Sequence, residues 1–303
     1  MKYPFITLLG PTATGKTKFA ALLADTIGAE IISADSRQVY KGMDIGSGKD
    51  IKDYTINDKV IPYHLIDIAE AGTEFNVFQY QQAAYQAIGN IRKRNKNIIL
   101  CGGSGMYIEA LLKGYKLFPV PTNDSLREQL SEKSFEELTA LLAQFRPLHN
   151  QTDTEDISRL LRALEIEYYY SEHPELLSRT QPIESIIFGL KGDRDLIRNR
   201  ITARLKERLE NGMIEEVQKL VNEGVSQMQL VRYGLEYKYI TLYLQNKIDK
   251  ETLFSKLNIA IHQFSKRQMT WFRKMERSGF VIHWMDILWS NEKKLQFCLE
   301  KLL

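Results

Sequence analysis

Only two cysteines occur in the 303 residues, Cys101 and Cys298, far apart and with no paired Cys or His spacing around them. That excludes a disulfide framework and a zinc centre of the usual ligand spacing, and makes a reducing, cytosolic setting the default. No window approaches the roughly 18 apolar residues of a membrane-spanning helix. Met1 to Leu9 shows no charged region leading into a long apolar core and a small-residue cleavage site, so neither membrane insertion nor secretion is expected. Internal repeats, low-complexity tracts and long like-charge blocks are absent too. The balance of 41 Lys and Arg against 38 Asp and Glu leaves a formal charge of +3, which neither requires nor excludes a nucleic-acid partner. What matters is where the cations cluster, and they do so near the C-terminus.

What is present fits an ordinary soluble globular protein, with 44% apolar and 26% charged residues. The length allows a principal domain of about 200 residues plus a smaller one. Short apolar runs precede turn residues at Phe5 to Leu9, Glu30 to Ala34, Tyr63 to Ile68, Asn97 to Cys101, Ile186 to Leu190 and Phe280 to Trp284. Helical patterns at Lys16 to Ile27 and Asn76 to Arg94 separate several of them, which predicts parallel strands joined by helical crossovers in an α/β core. Asn76 is the expected N-cap of the second helix, with Phe78, Ala83, Ala87, Ile88 and Ile91 on its inward stripe. Between Gly114 and Pro182 the texture changes: Pro119 and Pro121 break the chain, and Ser125 to Phe145 and Asp153 to Ser171 read as charged amphipathic helices. The expectation is a P-loop-like core over 1–114 and 183–303 with a helical insertion over 115–182. From Asp193 onward the chain reads as mostly helical, with breaks at Gly212 and Gly224.

The residues Gly10, Pro11, Thr12, Ala13, Thr14, Gly15, Lys16 and Thr17 follow the first strand and open the first helix. This is the pattern of a phosphate-binding loop: glycine lets backbone amides close on phosphate oxygens, Lys16 supplies a point charge, and the Thr17 hydroxyl is a candidate Mg²⁺ ligand. Asp35 ends the next apolar strand. Because the carboxyl ends of parallel strands line the ligand crevice, Asp35 and the loop should face one cleft. Three roles stay open for it on residue chemistry alone: water-mediated Mg²⁺ ligand, helix N-cap, or general base. A second glycine turn, Gly102-Gly103-Ser104-Gly105, follows the strand ending at Cys101. It is either a substrate contact through its amides and the Ser104 hydroxyl or only a tight turn. In Phe264 to Lys274 cations, amides and aromatics interleave, so this segment is either an RNA-facing surface or a solvated basic face with Trp271 and Phe272 in the core.

Six segments in one order resemble the tRNA dimethylallyltransferases: the phosphate loop, Asp35 to Gly46, His64 to Asp67, Gly102 to Gly105, Arg159 to Glu165, and Lys266 to Arg273. The resemblance covers most of the chain. It implies transfer of a dimethylallyl group from dimethylallyl diphosphate to N6 of the adenosine 3′-adjacent to the anticodon, in tRNAs reading codons that begin with U. By that resemblance the loop grips the diphosphate leaving group with Mg²⁺, Asp35 is the base that deprotonates N6, and Ser36, Arg37 and Gln38 hold the flipped adenine. Ser104 joins the catalytic set, as does an arginine of the Arg198 to Arg204 segment, where Arg200 and Arg204 are both candidates. The tRNA anticodon stem-loop is expected to meet Asp35 to Gln38, Ser104, Arg127, Ser158, Arg159, Leu160, Leu161, Arg162, Arg232, Tyr237, Lys238, Lys266, Arg267, Gln268, Thr270, Trp271 and Arg273. A cytoplasmic monomer of the bacterial type is implied, with no membrane partner.

Three positions depart from the family pattern. Ser104 stands for threonine and keeps the hydroxyl, Tyr63 replaces the first histidine of a pair, and Glu236 occupies a glycine position. The rival readings are an adenylate dimethylallyltransferase acting on free AMP, ADP or ATP, a P-loop kinase of a small metabolite, and a non-catalytic RNA-binding module. A free nucleotide needs neither the helical insertion nor the basic segment Lys266 to Arg273.

Overall fold

The computed structural model describes residues 4–146, 148, 156–174 and 182–302. The chain divides into two compact units, Met1–Lys113 with Pro182–Leu303, and Gly114–Gln181.

The larger unit is a doubly wound α/β domain. Strand β1 (Phe5–Leu9) leads through the phosphate loop into α1 (Lys16–Ile27), and β2 (Ala29–Ala34) follows at once. A short hairpin, β3 (Thr55–Ile56) with β4 (Lys59–Val60), precedes β5 (Tyr63–His64). Then come α2 (Val77–Lys93), β6 (Asn97–Gly102) and α3 (Gly105–Leu112). The main sheet runs β5-β2-β6-β1 and continues with β7 (Ser185–Lys191) and β8 (Ile282–Asp286), every pairing being parallel. Side chains alternate between its faces: Ile6, Leu8, Ile31, Ile99 and Phe188 join one core, and Phe5, Leu9, Ile32, Ile98 and Leu100 join the other. Because both faces are buried at the central strands β1, β2 and β6, these read as near-continuous apolar runs.

In α2 Asn76 caps as expected: its side chain accepts from the Gln79 amide while the Gln79 side chain accepts from the Asn76 amide. The buried stripe is Tyr80, Ala84, Ala87, Ile88 and Ile91, with Gln81 beside it. Phe78 and Ala83 are only partly buried, because Tyr80 stacks on Tyr107 of α3 and sets the rotation of the helix. The expected strand over 63–68 stops after His64, since Leu65 and Asp67 take φ of +64° and +55°, which breaks any ladder. The last strand begins two residues later than expected, at Ile282, because Gly279 takes a left-handed φ of +99° just before it.

Within the second unit, the pattern read as one helix over Ser125 to Phe145 is two, α4 (Asp124–Ser131) and α5 (Phe135–Phe145). The Ser134–Glu137 capping box restarts the chain between them. The third helix, α6, runs over Ile157–Glu172 behind an Asp156 cap; residues 153–155 of the expected helix lie outside the described residues. Leu130, Leu138, Leu142, Leu160 and Leu164 form its core. Glu165 is 2% exposed and accepts from Arg127 Nε (2.6 Å) and Nη2 (3.0 Å), from Arg162 Nη1 (2.9 Å) and from the Asn123 amide (3.0 Å). Burial alone would push its carboxyl up, but these hydrogen bonds and the Arg127 charge outweigh it and hold the pKa down at about 2.

After β7 come α7 (Arg194–Glu210), α8 (Met213–Asn222), α9 (Gln227–Tyr233), α10 (Leu235–Leu244), the long α11 (Lys250–Arg277) and, beyond β8, α12 (Asn291–Leu302). The breaks at Gly212 and Gly224 are present, and Gly234 adds a third.

Two expectations follow. A Cβ on Gly102 would stand 2.1 Å from the Ala34 carbonyl oxygen, backbone that cannot give way, so Gly102→Ala should cost about 2–3 kcal/mol in denaturant unfolding. The Glu165 carboxyl titrates lower folded than unfolded, so its stabilisation is complete above the ordinary value of 4.5 and is lost as pH falls toward 2. Glu165→Gln should therefore lower the melting temperature at pH 7 and leave it nearly unchanged at pH 2.

Candidate active site

The parallel order β2-β6-β1 brings three strand ends to one edge of the sheet: the phosphate loop after β1, Asp35 after β2 and the glycine turn after β6. Lys16, Thr17, Asp35, Gln38, Arg204 and Gln268 all line one cleft there, as do Thr12, Ala13 and Gly15. Gly10, Pro11 and Thr14 are buried beneath it. The loop is closed by its own bonds: Thr14 Oγ1 and Lys16 Nζ both donate to the Pro11 carbonyl, at 2.8 and 2.6 Å. Gly15 takes a left-handed conformation as the N-cap of α1, so the amides of the first turn open toward the cleft. Desolvation, helped by the Arg204 charge and opposed by Cys101 and Asp35, holds the Lys16 ammonium down at about 8. Burial of the Cys101 thiol pushes it up to about 12, which leaves it protonated beside Lys16.

Asp35 Oδ1 accepts the Arg37 amide at 2.9 Å, which fixes the carboxylate at the rim of β2. The Ser36 amide donates to Ser104 Oγ at 3.2 Å, so the serine hydroxyl ties the segment after β2 to the second glycine turn. Gln38 is spoken for: Ser33 Oγ donates to its Oε1 at 2.9 Å, and its Nε2 donates to the Gly48 carbonyl at 3.1 Å.

Helix α7 separates the two arginine candidates. Arg204 lines the cleft and donates to Thr12 Oγ1, whereas Arg200, one turn earlier, is exposed and outside it. Desolvation, then the neighbouring Arg208, lower the Arg204 guanidinium to about 10, so it stays charged at neutral pH. Arg208 and its partner Asp50 also line the cleft, as does Asp53, which burial and the nearby Asp50 hold above the ordinary carboxylate range. These three escaped the sequence reading. For Arg208 the available signal was its spacing, four residues after Arg204 and hence on the same helix face.

Helix α11 crosses the site with two faces. Gln268 is buried, accepting the Thr12 amide on Oε1 and donating to the Gly103 carbonyl, both at 2.9 Å. Trp271 lies against Gly105 with Lys274 over its ring at 4.7 Å, and Phe272 is in the core. Lys266, Arg267, Thr270 and Arg273 are exposed along the outer face, with Arg267 over the Phe264 ring at 5.9 Å. The segment thus has an exposed basic face with Phe272 in the core, as one of the two readings expected, although Trp271 is only partly buried.

Two expected RNA contacts are corrected by burial. Tyr237 is 0% exposed, its hydroxyl donating to Glu216 Oε1 at 2.9 Å, and Leu160 is 0% exposed in the core of the second unit. Neither can touch a polynucleotide. Arg37 is largely enclosed: it pairs with Glu236 at 2.8 Å and stacks over Phe264 at 4.9 Å. Arg232 and Lys238 are exposed on α9 and α10. In the second unit Ser158 and Arg159 are exposed and Leu161 is partly buried, while Arg127 gives its Nε–Nη2 edge to Glu165 and Arg162 donates from Nη1 to Glu165 and from Nη2 to the Val120 carbonyl.

The residues present fit a Mg²⁺ ion. Thr17 lines the cleft and its hydroxyl makes no hydrogen bond to another described residue. Among the described residues no group of three carboxylates, histidines or cysteines converges to hold a metal. An ion that takes most of its ligands from phosphate and water needs none.

The family model described as IPP transferase matches residues 38–275. The chain is 53% identical over 300 residues to a protein of Bacteroides fragilis named tRNA dimethylallyltransferase 2, covering 99% of this chain and 98% of the relative. It is 53% identical over 293 residues to tRNA dimethylallyltransferase 1 of Parabacteroides distasonis, at 97% and 95% coverage. Among solved structures, the full-length tRNA isopentenylpyrophosphate transferase of Bacillus halodurans is similar with a TM-score of 0.72 and 29% identity, covering 99% of this chain and 97% of that one. A eukaryotic dimethylallyltransferase solved acting on tRNA shares the fold, with a TM-score of 0.79 at 19% identity over 99% of this chain and 79% of that one. The cleft formed by the loop, Asp35 and α11 thus sits in a chain that matches these proteins over nearly its whole length, and the chain belongs to the IPP transferase family.

Proposed function

We propose that the protein transfers a dimethylallyl group from dimethylallyl diphosphate to N6 of the adenosine 3′-adjacent to the anticodon, in tRNAs reading codons that begin with U. The observation that carries this reading is one cleft holding both a phosphate loop and the carboxylate of Asp35, under a helix whose outer face bears Lys266, Arg267 and Arg273.

Asp35 takes the N6 proton as the nitrogen bonds to C1 of the allyl group and the C1–O bond to diphosphate breaks. An exocyclic adenine amine is a weak nucleophile, so a positioned base and a stabilised leaving group are both needed. The bond from the Arg37 amide orients the carboxylate. Lys16, Arg204 and the first amides of α1 offset the negative charge on the departing diphosphate. When bound, Mg²⁺ supplies further charge neutralisation there, with Thr17 as its protein ligand. The adenine must leave its stack to reach Asp35. Ser104 positions the base segment through the Ser36 amide. Exposed cations of α11, with Arg127, Arg159 and Arg162 of the second unit, are the RNA-facing set. A cytoplasmic monomer is the form in which it acts.

Dimethylallyl diphosphate offered with unmodified tRNA and with AMP in parallel should give product on tRNA alone; product on AMP alone overturns the reading. Asp35→Asn should lower turnover by at least about 100-fold with tRNA affinity nearly unchanged. Lys16 should lose its proton as pH rises through about 8, so affinity for the diphosphate falls above that pH and binding there takes up a proton. Calorimetry at pH 8.5 in buffers of different ionisation enthalpy measures that uptake.

A further inference from the structure

The cations of the cleft are not equally available to an anion. Arg37 Nη1 lies 2.8 Å from Glu236 Oε2, with both side chains 14% exposed. Arg208 Nη2 lies 2.9 Å from Asp50 Oδ2, the arginine equally enclosed. Lys16 and Arg204 have no carboxylate partner among the described residues; their bonds go to the Pro11 carbonyl and the Thr12 hydroxyl. All six side chains line the same cleft.

Both pairs are built across the fold rather than within one element. Glu236 opens α10 and reaches a residue 199 positions away, while Asp50 precedes the 3-10 turn Ile51–Tyr54 and meets α7. The Arg37 guanidinium approaches Gly234, whose φ is +142°, so closely that a Cβ there would stand 2.9 Å from Nη1. The backbone is shaped around this pair. An acid at the first turn of a helix gains from the helix dipole wherever it points; that gain does not require it to reach into a cleft that receives an anion. The Asp50 carboxylate, 41% exposed, likewise faces the cleft rather than open solvent alone.

We propose that Glu236 and Asp50 are counter-charges that limit how tightly the donor site holds diphosphate, by keeping Arg37 and Arg208 in ion pairs and leaving Lys16 and Arg204 to take the anion. The inference rests on the donor-site reading given above. A leaving-group site must stabilise charge as the C1–O bond breaks and then let the product go. Four unpaired cations around one diphosphate would bind substrate and product alike and would slow release without helping the chemical step. Neutralising two of them keeps the field concentrated at the loop. It also keeps the arginines as rigid walls of the cleft, with Arg37 held against the Phe264 ring at 4.9 Å.

The variants E236Q and D50N remove one negative charge each while retaining an oxygen that can accept from the same arginine. With inorganic diphosphate and Mg²⁺ titrated calorimetrically into the full chain, each should bind at least about tenfold tighter than the unsubstituted protein. Inhibition of turnover by added diphosphate should tighten in parallel. In the double variant R37M/E236Q the gain should vanish, because the released cation is gone. Thermal unfolding of each protein identifies any variant that has not folded; D50N, at the more exposed pair, tests the inference independently of E236Q. Folded variants with unchanged or weaker diphosphate affinity overturn the counter-charge role while leaving the donor site standing. Failure of the unsubstituted protein to bind diphosphate at all overturns the donor-site reading, and this inference with it.

Discussion

One amide side chain joins the parts on which the cleft depends. Gln268 takes the Thr12 N–H on its oxygen and gives an N–H to the Gly103 carbonyl, spanning 256 and 165 positions of sequence. The adjacency of β1 and β6 sets the phosphate loop beside the second glycine turn, and the two bonds hold both against α11. Loss of this side chain would leave a backbone N–H and a carbonyl orphaned in a site that is otherwise hydrogen-bonded, at a cost of about 1–3 kcal/mol for each group left unsatisfied. The same helix carries its exposed cations one and two positions before Gln268. The outward-facing cations and the amide that ties down the loop after β1 are therefore carried by one helix of 28 residues.

Charge is arranged around that frame by pairing rather than by accumulation. Arg204 and Arg208 share a face of α7, and Arg208 is the largest electrostatic influence lowering Arg204 after desolvation. Asp50 takes up Arg208, so the repulsion is moderated and the helix tolerates two partly buried guanidiniums one turn apart. Glu216 plays a comparable part nearby: it accepts from the Ile45 and Gly46 amides and from the Tyr237 hydroxyl, anchoring the 44–48 turn that forms one wall of the cleft.

What could be read from the sequence was what is local. The phosphate loop needs only glycines, a lysine and a threonine between a strand and a helix. The Asn76 cap needs only its neighbours, and Asp35 needs only the end of an apolar run. Long-range partners were not legible in this way. Tyr237 and Gln268 look like surface polar residues until Glu216 and the two loops arrive to bond them. Leu160 sits in an Arg-rich motif yet is pulled inward by Leu138 and Leu142. The strand predicted over 63–68 failed because an apolar run carries no sign of two left-handed residues within it. Glu236 could be seen as a departure from the family pattern; its meaning required the position of Arg37.

The carboxylate hub of the second unit bears on side-chain order as well as stability. Glu165 grips one edge of the Arg127 guanidinium and Nη1 of Arg162, whose Nη2 is held by the Val120 carbonyl, yet both side chains keep about two-fifths of their surface open, at 40% and 39%. A free arginine on a helix gives up rotamer freedom whenever it meets a polyanion, at a typical cost of about 0.5–1.5 kcal/mol. Here that ordering occurs during folding. Their exposed surfaces are fixed before any ligand arrives, so an anion meeting this unit would find both side chains with little conformational entropy left to lose.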